Sequence, residues 1–169
     1  GAGAVMGSKN LKAVAVRGRG RLTVADSLGY LDLCREMDQK IMTHPEYEKR
    51  NALGSTLLMK ALNKIGILPT NHFQQGLCEY VDRISGETLA NKFKVKNKSC
   101  FNCNLHCSRY YLTAAAEAEG PEFETLCSYT SRIGNHDLEF GLKMNAFLNR
   151  MGVDSLSSGE TIGWAMECV

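Results

Sequence analysis

The amino-acid sequence predicts a mainly α-helical fold, in which a short β segment precedes a helical body. From residue 26 onward, apolar side chains recur at helical spacing, and residues that cap helices bound these stretches. Near the start of the chain, a short β-branched run lies between glycines and favours a strand. The composition agrees, because 44% hydrophobic and 22% charged residues are typical of globular proteins and exclude disordered and collagen-like classes.

The β segment is predicted at residues 11–17, after a glycine-rich stretch. One or two strands alone do not form a stable sheet, so we expect this strand to complete a sheet whose other strands precede residue 1. The chain also begins with Gly rather than Met and ends within an apolar, helix-like run. We therefore expect its 169 residues to be a piece of a longer protein. Residues 1–25 would be the tail of a β domain, and residues 26–169 would be a helical domain.

Beyond residue 26 the sequence predicts helices and essentially no strand. The first helix begins near residues 26–27, whose side chains can accept hydrogen bonds from free amides, and it ends at Pro45. The clearest helix runs from Asp137 to Met151, with Gly152 suited to terminate it. Shorter helices are predicted over residues 55–64 and 85–93 and from residues 120 and 159, whereas residues 69–84 are predicted to form an extended surface loop.

Charge and hydropathy exclude several classes of partner. Twenty Lys and Arg against 18 Asp and Glu leave a formal net charge of +2 without a basic stripe, so no nucleic-acid partner is expected. No apolar run approaches the roughly 20 residues that a bilayer requires, so no membrane anchor is expected. The seven cysteines are odd in number, and no secretory signal accompanies them. A disulfide framework is therefore disfavoured, and the expected location is cytoplasmic.

Three cysteines, Cys100, Cys103 and Cys107, form the pattern C-x2-C-x3-C. Soft thiolates on one tight loop suit a [4Fe–4S] cluster, which takes three ligands from such a loop and a fourth from elsewhere. Lys96 and Lys98 precede the loop and Arg109 follows it, and nearby cations are expected to lower the thiol pKa values and to offset the charge of a thiolate cluster.

Two alternatives to a cluster stay open. Structural zinc needs four ligands, and a second cysteine pair is missing, although His106 could join the three thiols. The thiols could instead be small buried hydrophobes, which fits three thiols within eight mostly polar residues poorly. The fourth cluster ligand could be Cys127, Cys168 or a cysteine beyond residue 169. The last is favoured, because Cys127 and Cys168 lie on predicted helices where core positions are more common.

Three further stretches contain candidate functional residues. Glu122 and Glu124 lie at a predicted helix start, where carboxylates either complement the helix dipole or accept protons during catalysis. Asp154 lies in the turn after the clearest helix, where it either caps the next helix or accepts hydrogen bonds from the amino groups of a heterocycle. The small residues of Gly1–Ala4 allow a backbone to approach a phosphate or ring closely, which by itself is a weak indication.

Several of these stretches, in their order along the chain, resemble the tungsten-containing aldehyde:ferredoxin oxidoreductase family. The resemblance covers nearly the whole chain, and six ordered motifs are far more specific than any one of them. The similar stretches are Gly3–Ala13, Leu68–Gln74, Ile84–Glu87, the C-x2-C-x3-C loop, Gly120–Leu126 and Gly152–Gly159. One departure lies within the cysteine loop, where Phe101-Asn102 and Asn104-Leu105-His106 stand in place of the Gly and Pro-Ile-Gly-like residues of many members.

The resemblance implies a tungsten bis-pyranopterin and a [4Fe–4S] cluster in the intact protein. Cys100, Cys103 and Cys107 would be metal ligands, with the fourth ligand far downstream in a C-terminal domain. Residues 1–25 would end an N-terminal pterin-binding β domain. Glu122 and Glu124 would lie on the cofactor side as candidate catalytic residues. The candidate cofactor-binding residues are Gly1, Ala2, Gly3, Ala4, Asp154, Ser157 and Gly159.

The resemblance also implies a function for the intact enzyme. It would oxidise a small aldehyde or related substrate to a carboxylic acid and pass the electrons to ferredoxin or an electron-transfer subunit, and a homodimer is a further expectation. This chain alone would be catalytically incomplete, because half of the pterin site and one cluster ligand are missing. The alternative is a small, non-catalytic iron–sulfur or zinc-binding helical module that binds a partner.

Overall fold

The computed structural model describes residues 1–20 and 23–169. Within these ranges the chain is mainly α-helical with a small sheet, so the predicted fold class is confirmed. None of the described helices combines the length and apolar character needed to cross a bilayer. Short 3-10 turns lie at Gly54–Leu57 and Ser131–Ile133. The helices are α1 (Ala2–Ser8), α2 (Ser27–Met42), α3 (Tyr47–Leu53), α4 (Leu58–Lys64), α5 (Val81–Ile84), α6 (Gly86–Lys92), α7 (Phe123–Ser128), α8 (Leu138–Met151) and α9 (Ser155–Glu167).

The beginning of the chain differs from the sequence prediction. Residues 2–8, expected to be a loop, form α1, and residues 11–17, expected to be a strand, are exposed and irregular. A β-branched run becomes a strand only when a neighbouring strand satisfies its backbone groups, and no described residue supplies that partner. Arg21 and Leu22, which fall within the predicted β-domain tail, lie outside the described residues.

The strands lie instead in the middle of the chain, where essentially none was predicted. Three strands, β1 (Lys94–Lys98), β2 (Ser108–Leu112) and β3 (Glu117–Glu119), form an antiparallel sheet in the order β1-β2-β3. β1 is an edge strand in which lysines alternate with other residues, and lysines on an edge discourage pairing with other chains. This strand therefore lacks the alternating apolar pattern by which strands are usually predicted.

The core lies where α4, α6, α7 and α8 pack around β2. Tyr111 joins the sheet to α8, because its hydroxyl donates a hydrogen bond to the carbonyl of Leu142 (2.6 Å) and accepts one from the amide of Asn145 (3.0 Å). The loop predicted over residues 69–84 is only partly correct, since it buries Cys78 and ends in α5. The largest buried apolar side chains are Met59, Leu68, Ile84, Leu89, Tyr111, Leu126 and Leu142.

Several helix ends form as the local sequence predicts. Asp26 accepts a hydrogen bond from the amide of Gly29 at the start of α2 (3.0 Å), as expected. Asp137, expected as the first residue of α8, instead lies one residue before the helix and caps it. Gly152 ends α8 in a left-handed conformation with φ of 64°. Two helices begin away from their predicted positions, since α7 starts at residue 123 and α9 at residue 155. α3 was not predicted.

Candidate metal-cluster and cofactor sites

The clustered cysteines lie in the connection between β1 and β2, and we call residues 99–107 the cysteine loop. The two ends of this loop meet because Lys98 pairs with Ser108 across the hairpin. Within the loop, the amide of Cys103 donates a hydrogen bond to the carbonyl of Cys100 (3.2 Å), which closes a turn. The hairpin therefore holds all three thiols on one short loop, with Cys100 exposed and Cys103 and Cys107 half-buried.

Two residues of the cysteine loop have left-handed backbone conformations. Asn102 has φ of 54° and His106 has φ of 51°. Glycine adopts this conformation most readily, and Asn and His tolerate it better than most other residues. Asn102 and His106 are therefore residue types that can adopt the left-handed backbone that this loop requires.

Side chains of α3 hold the cysteine loop from one side. The hydroxyl of Tyr47 donates a hydrogen bond to the carbonyl of Asn104 (3.0 Å), and the amide of Asn51 donates to the carbonyl of Leu105 (2.9 Å). Asn97 of β1 in turn donates to the side-chain oxygen of Asn51 (2.6 Å). These polar residues position the loop, although the sequence analysis did not identify them.

Arg109 is a cation buried next to the end of the cysteine loop, with only 1% of its surface exposed. Its Nη2 donates a hydrogen bond to the carbonyl of Cys107 (2.6 Å), and its Nη1 donates to the carbonyl of Pro121 (2.9 Å) and to Thr56 Oγ1 (3.2 Å). Burial lowers the pKa of Arg109, but a guanidinium stays charged at neutral pH. A positive charge is therefore fixed next to Cys107, at the end of the loop.

Gly54 makes room for this arginine. It has φ of 57°, and a Cβ added there would lie 2.0 Å from both Arg109 Nη2 and the carbonyl oxygen of Cys107. The sequence did show a glycine followed by two small polar residues after a charged stretch, which is compatible with a close backbone approach. Sequence alone did not indicate which segment approaches it.

The two candidate catalytic carboxylates, Glu122 and Glu124, have different contacts in the structure. Glu122 lies with its Oε1 3.8 Å from Arg109 Nη2, and its Oε2 accepts a hydrogen bond from the hydroxyl of Ser55. Ser55 Oγ also accepts a hydrogen bond from the amide of Phe123 (2.9 Å), so it ties Glu122 to the start of α7. Glu124 is exposed in the first turn of that helix. Only Glu122 is therefore joined to the surroundings of the cysteine loop by these contacts.

The thiol of Cys107 does not follow the expectation that flanking cations lower its pKa. Burial raises the pKa of Cys107, and the negative charges of Glu122, Cys103 and Cys100 raise it further. Among the described residues, no group of three or more His, Cys, Asp or Glu side chains is arranged to hold a metal ion. The donor set itself fits an iron–sulfur cluster, because it offers three soft thiols on one loop next to a buried cation.

The other cysteines considered as a fourth ligand have different surroundings. Cys127 is fully buried in the core, where its sulfur lies 3.4 Å from Ser131 Oγ, and burial raises its pKa. Cys127 is therefore a core thiol, as its position on a helix suggested. Cys168 is exposed rather than part of the core.

The Gly1–Ala4 segment touches the turn that contains Asp154, and we call this the glycine contact (residues 1–4 against 152–154). The amide of Ala4 donates a hydrogen bond to the carbonyl of Gly152 (3.2 Å). A Cβ added to Gly3 would lie 2.9 Å from the Cα of Gly152, so the approach requires small residues. Two candidate cofactor-binding segments that are distant in sequence therefore lie side by side.

Asp154 caps α9, which is one of the two roles that the sequence left open for it. Its carboxylate accepts a hydrogen bond from the amide of Ser157 (2.7 Å), and this bond lowers the pKa of Asp154. Ser157 itself is exposed in the first turn of the helix. Gly159 is buried, and a Cβ there would lie 2.6 Å from the Cβ of Ser128. Its contacts in the structure thus pack α9 against α7.

The fold and these contacts define a mainly helical domain with a thiol-bearing hairpin loop. The family model described as "Aldehyde ferredoxin oxidoreductase, domains 2 & 3" matches residues 32–169, so the chain belongs to the aldehyde ferredoxin oxidoreductase family. It is 40% identical to each of the tungsten-containing aldehyde ferredoxin oxidoreductases of Pyrococcus abyssi and Pyrococcus horikoshii. It is 26% identical to a protein of Pyrococcus furiosus named aliphatic sulfonate oxidoreductase, WOR-like subunit. These three alignments each cover 99% of this chain, which spans only 28%, 28% and 27% of the respective relatives.

Proposed function

We propose that this chain is part of a tungsten bis-pyranopterin and [4Fe–4S]-dependent oxidoreductase. The whole enzyme would oxidise aldehydes to carboxylic acids and pass the electrons to ferredoxin or an electron-transfer subunit. Family membership supports the oxidoreductase class. One observation supports the proposal of a [4Fe–4S] cluster in particular: a hairpin holds three thiols on a single loop, beside a buried cation and a fixed carboxylate.

In this proposal Cys100, Cys103 and Cys107 are three thiolate ligands, and a cysteine elsewhere in the longer protein is the fourth. When bound, the cluster supplies one-electron transfer. The chain's own contribution is to hold the loop at both ends and to place Arg109 next to the backbone of Cys107, where its charge would offset the negative charge of a thiolate-bound cluster.

The glycine contact is proposed to form part of the pterin-binding surface. Gly1, Ala2, Gly3 and Ala4 would offer backbone groups without bulky side chains, and Asp154 and Ser157 would offer exposed polar atoms. Asp154 uses its Oδ2 for the helix cap, so Oδ1 would accept hydrogen bonds from ring amino groups. The tungsten cofactor, when bound, supplies two-electron oxidation chemistry.

For proton transfer we propose Glu122 in preference to Glu124. Ser55 and Arg109 hold the carboxylate of Glu122 in one place, and a general base must be positioned before it can be effective. Glu124 has no comparable tie to the cysteine loop among the described contacts. In the same proposal, residues 1–25 belong to the N-terminal pterin-binding domain and residues 26–169 to a helical middle domain.

We also propose a cytoplasmic location and a homodimer for the intact protein. All seven cysteines are free thiols, which is typical of a reducing compartment. The homodimer rests on the resemblance alone, and sedimentation of the full-length protein would test it.

Metal analysis of the full-length protein, purified without oxygen, tests the proposal. We expect tungsten together with about four iron atoms per chain, as one [4Fe–4S] cluster requires. Cys100→Ser is expected to lose most of the iron, whereas the matched variant Cys127→Ser, which removes a core thiol, is expected to keep it. Zinc at about one atom per chain, with neither tungsten nor iron, would contradict the proposal and favour a non-catalytic zinc module.

A further inference from the structure

We propose that Arg109 is a positioning residue that joins the cysteine loop to the segment bearing Glu122 and serves as the buried counter-charge of the cluster. This inference rests on the proposed function, because it takes Cys100, Cys103 and Cys107 as cluster ligands.

The first argument is the geometry of the guanidinium. One nitrogen donates a hydrogen bond to the backbone of Cys107 and another donates to the backbone of Pro121, so one side chain ties two separate segments together. Arginine has a rigid planar fork of donors that can reach two carbonyls at once, whereas lysine presents a single compact charge. Arg109 therefore fixes where the cysteine loop ends relative to the residue before Glu122.

The second argument is charge balance. A buried cation is costly unless an anion compensates it, and Arg109 is almost completely buried. Its one carboxylate partner among the described residues is Glu122, at 3.8 Å, and the side chain of Glu122 is 46% exposed. Compensation by Glu122 is therefore incomplete. A thiolate-bound cluster carries negative charge, so a cluster ligated by Cys107, whose carbonyl accepts a hydrogen bond from Arg109, would add to the compensation that Glu122 provides.

The third argument is that the surrounding residues are shaped for this arginine. Gly54 leaves the space in which the guanidinium meets the Cys107 carbonyl, and Thr56 accepts a further hydrogen bond from it. Ser55 holds the other oxygen of Glu122. Three consecutive residues of the Gly54–Leu57 turn therefore support the contacts between Arg109, the cysteine loop and Glu122.

The charges of Arg109 and Glu122 should therefore shift the reduction potential of the cluster. Reduction adds one negative charge to the cluster, and a nearby fixed positive charge favours the reduced form. Removing the charge of Arg109 should lower the potential. Removing the charge of Glu122 should leave the charge of Arg109 less compensated and raise the reduction potential of the cluster. The two substitutions are thus expected to act in opposite directions.

The test uses the full-length, metal-loaded protein and an anaerobic redox titration monitored by electron paramagnetic resonance. We expect Arg109→Met to shift the cluster potential to more negative values and Glu122→Gln to shift it to more positive values. Arg109→Lys should restore the potential but lose iron several-fold faster to a chelator, because it keeps the charge without the fork. Arg132→Met is the matched control, since Arg132 is also buried but pairs with Glu160 of α9, and it should leave the potential unchanged.

An Arg109→Met protein with the wild-type potential would overturn the inference. If the Arg109→Met variant does not fold, the Glu122→Gln variant tests the inference instead. Glu122 is half-exposed, and removing its charge must still raise the reduction potential of the cluster. An equal shift in Arg132→Met would also overturn the inference, since it would mean that loss of any buried arginine perturbs the cluster. A wild-type protein without a four-iron cluster would instead overturn the proposed function itself, so the two failures are distinguishable.

Discussion

The cysteine loop and the glycine contact each join segments that are distant in sequence, but they do so by opposite means. Polar side chains hold the cysteine loop, among them those of Tyr47, Asn51 and Arg109. The glycine contact is a direct approach of two backbones at Gly3 and Gly152, which is possible because neither residue has a side chain.

The two regions therefore depend on different properties of their residues. In the cysteine loop, side chains bind backbone carbonyls and leave the thiols free for other ligands, so charge and hydrogen bonding determine its properties. In the glycine contact, the available volume determines whether the segments meet at all. Electrostatic changes should therefore affect the first region most, and added volume should affect the second.

We expect the largest effect from the two carboxylates near the start of α7, of which only Glu122 contacts the surroundings of the cysteine loop. Glu122→Gln in the full-length enzyme should lower kcat for aldehyde oxidation by about 10²–10⁴-fold, the range typical of a lost general base. Glu124→Gln is the matched control and should change kcat only a few-fold, because Glu124 is exposed in α7. Steady-state kinetics at equal metal content measures both, and equal losses in the two variants would contradict the assignment.

The next effect tests how tightly the cysteine loop is packed. Gly54→Ala should destabilise the β1–β2 hairpin by roughly 2–5 kcal/mol, because it combines backbone strain with a collision against Arg109 and Cys107. Hydrogen exchange of the β2 amides measures this local stability. A loss below about 1 kcal/mol would show that the arginine contact can be rearranged at little cost.

A smaller effect is expected at the glycine contact. Gly152→Ala adds a Cβ 2.7 Å from the backbone of Gly3, in addition to the strain of its positive φ. Gly66→Ala is the matched control, since Gly66 also has a positive φ but has open space around its Cβ position. Gly152→Ala should cost about 1–3 kcal/mol more than Gly66→Ala and reduce the pterin content. Equal costs, measured by hydrogen exchange at α8 and α1, would mean that the contact contributes little.

The smallest effect concerns the pH dependence of the Asp154 cap. The amide of Ser157 lowers the pKa of Asp154, so the ionised cap stabilises α9 above the ordinary carboxyl pKa. This stabilisation is lost as the pH falls through the lowered pKa. Asp154→Asn keeps a capping side chain that does not titrate. The difference in melting temperature between wild type and Asp154→Asn should therefore shrink or reverse in acid, and a difference independent of pH would argue against the cap.

Local features of the fold could be predicted from the sequence because few residues determine them. The caps at Asp26 and Asp154 and the terminating Gly152 each depend on hydrogen bonds or backbone angles within a few residues. The C-x2-C-x3-C pattern was likewise visible, since its spacing alone brings three thiols onto one segment. The helical fold class and the candidate metal ligands followed from such short-range patterns.

Other features depended on partners that the sequence does not specify. Residues 11–17 have strand-forming residues but no described strand beside them, whereas the lysine-rich β1 pairs with β2 because the chain returns through the cysteine loop. α8 has apolar residues on two faces, and packing buries Leu142 while Phe147 stays 52% exposed.

The positions of most helices, the caps at Asp26 and Asp154 and the closeness of three thiols along the chain followed from the sequence. Tertiary contacts selected the run that becomes a strand and the apolar face that is buried, and they place Arg109 between the cysteine loop and Glu122. The physical reason is distance along the chain. Capping and turn geometry involve neighbouring residues, but strand pairing and the burial of a charge depend on atoms contributed by residues far away in sequence.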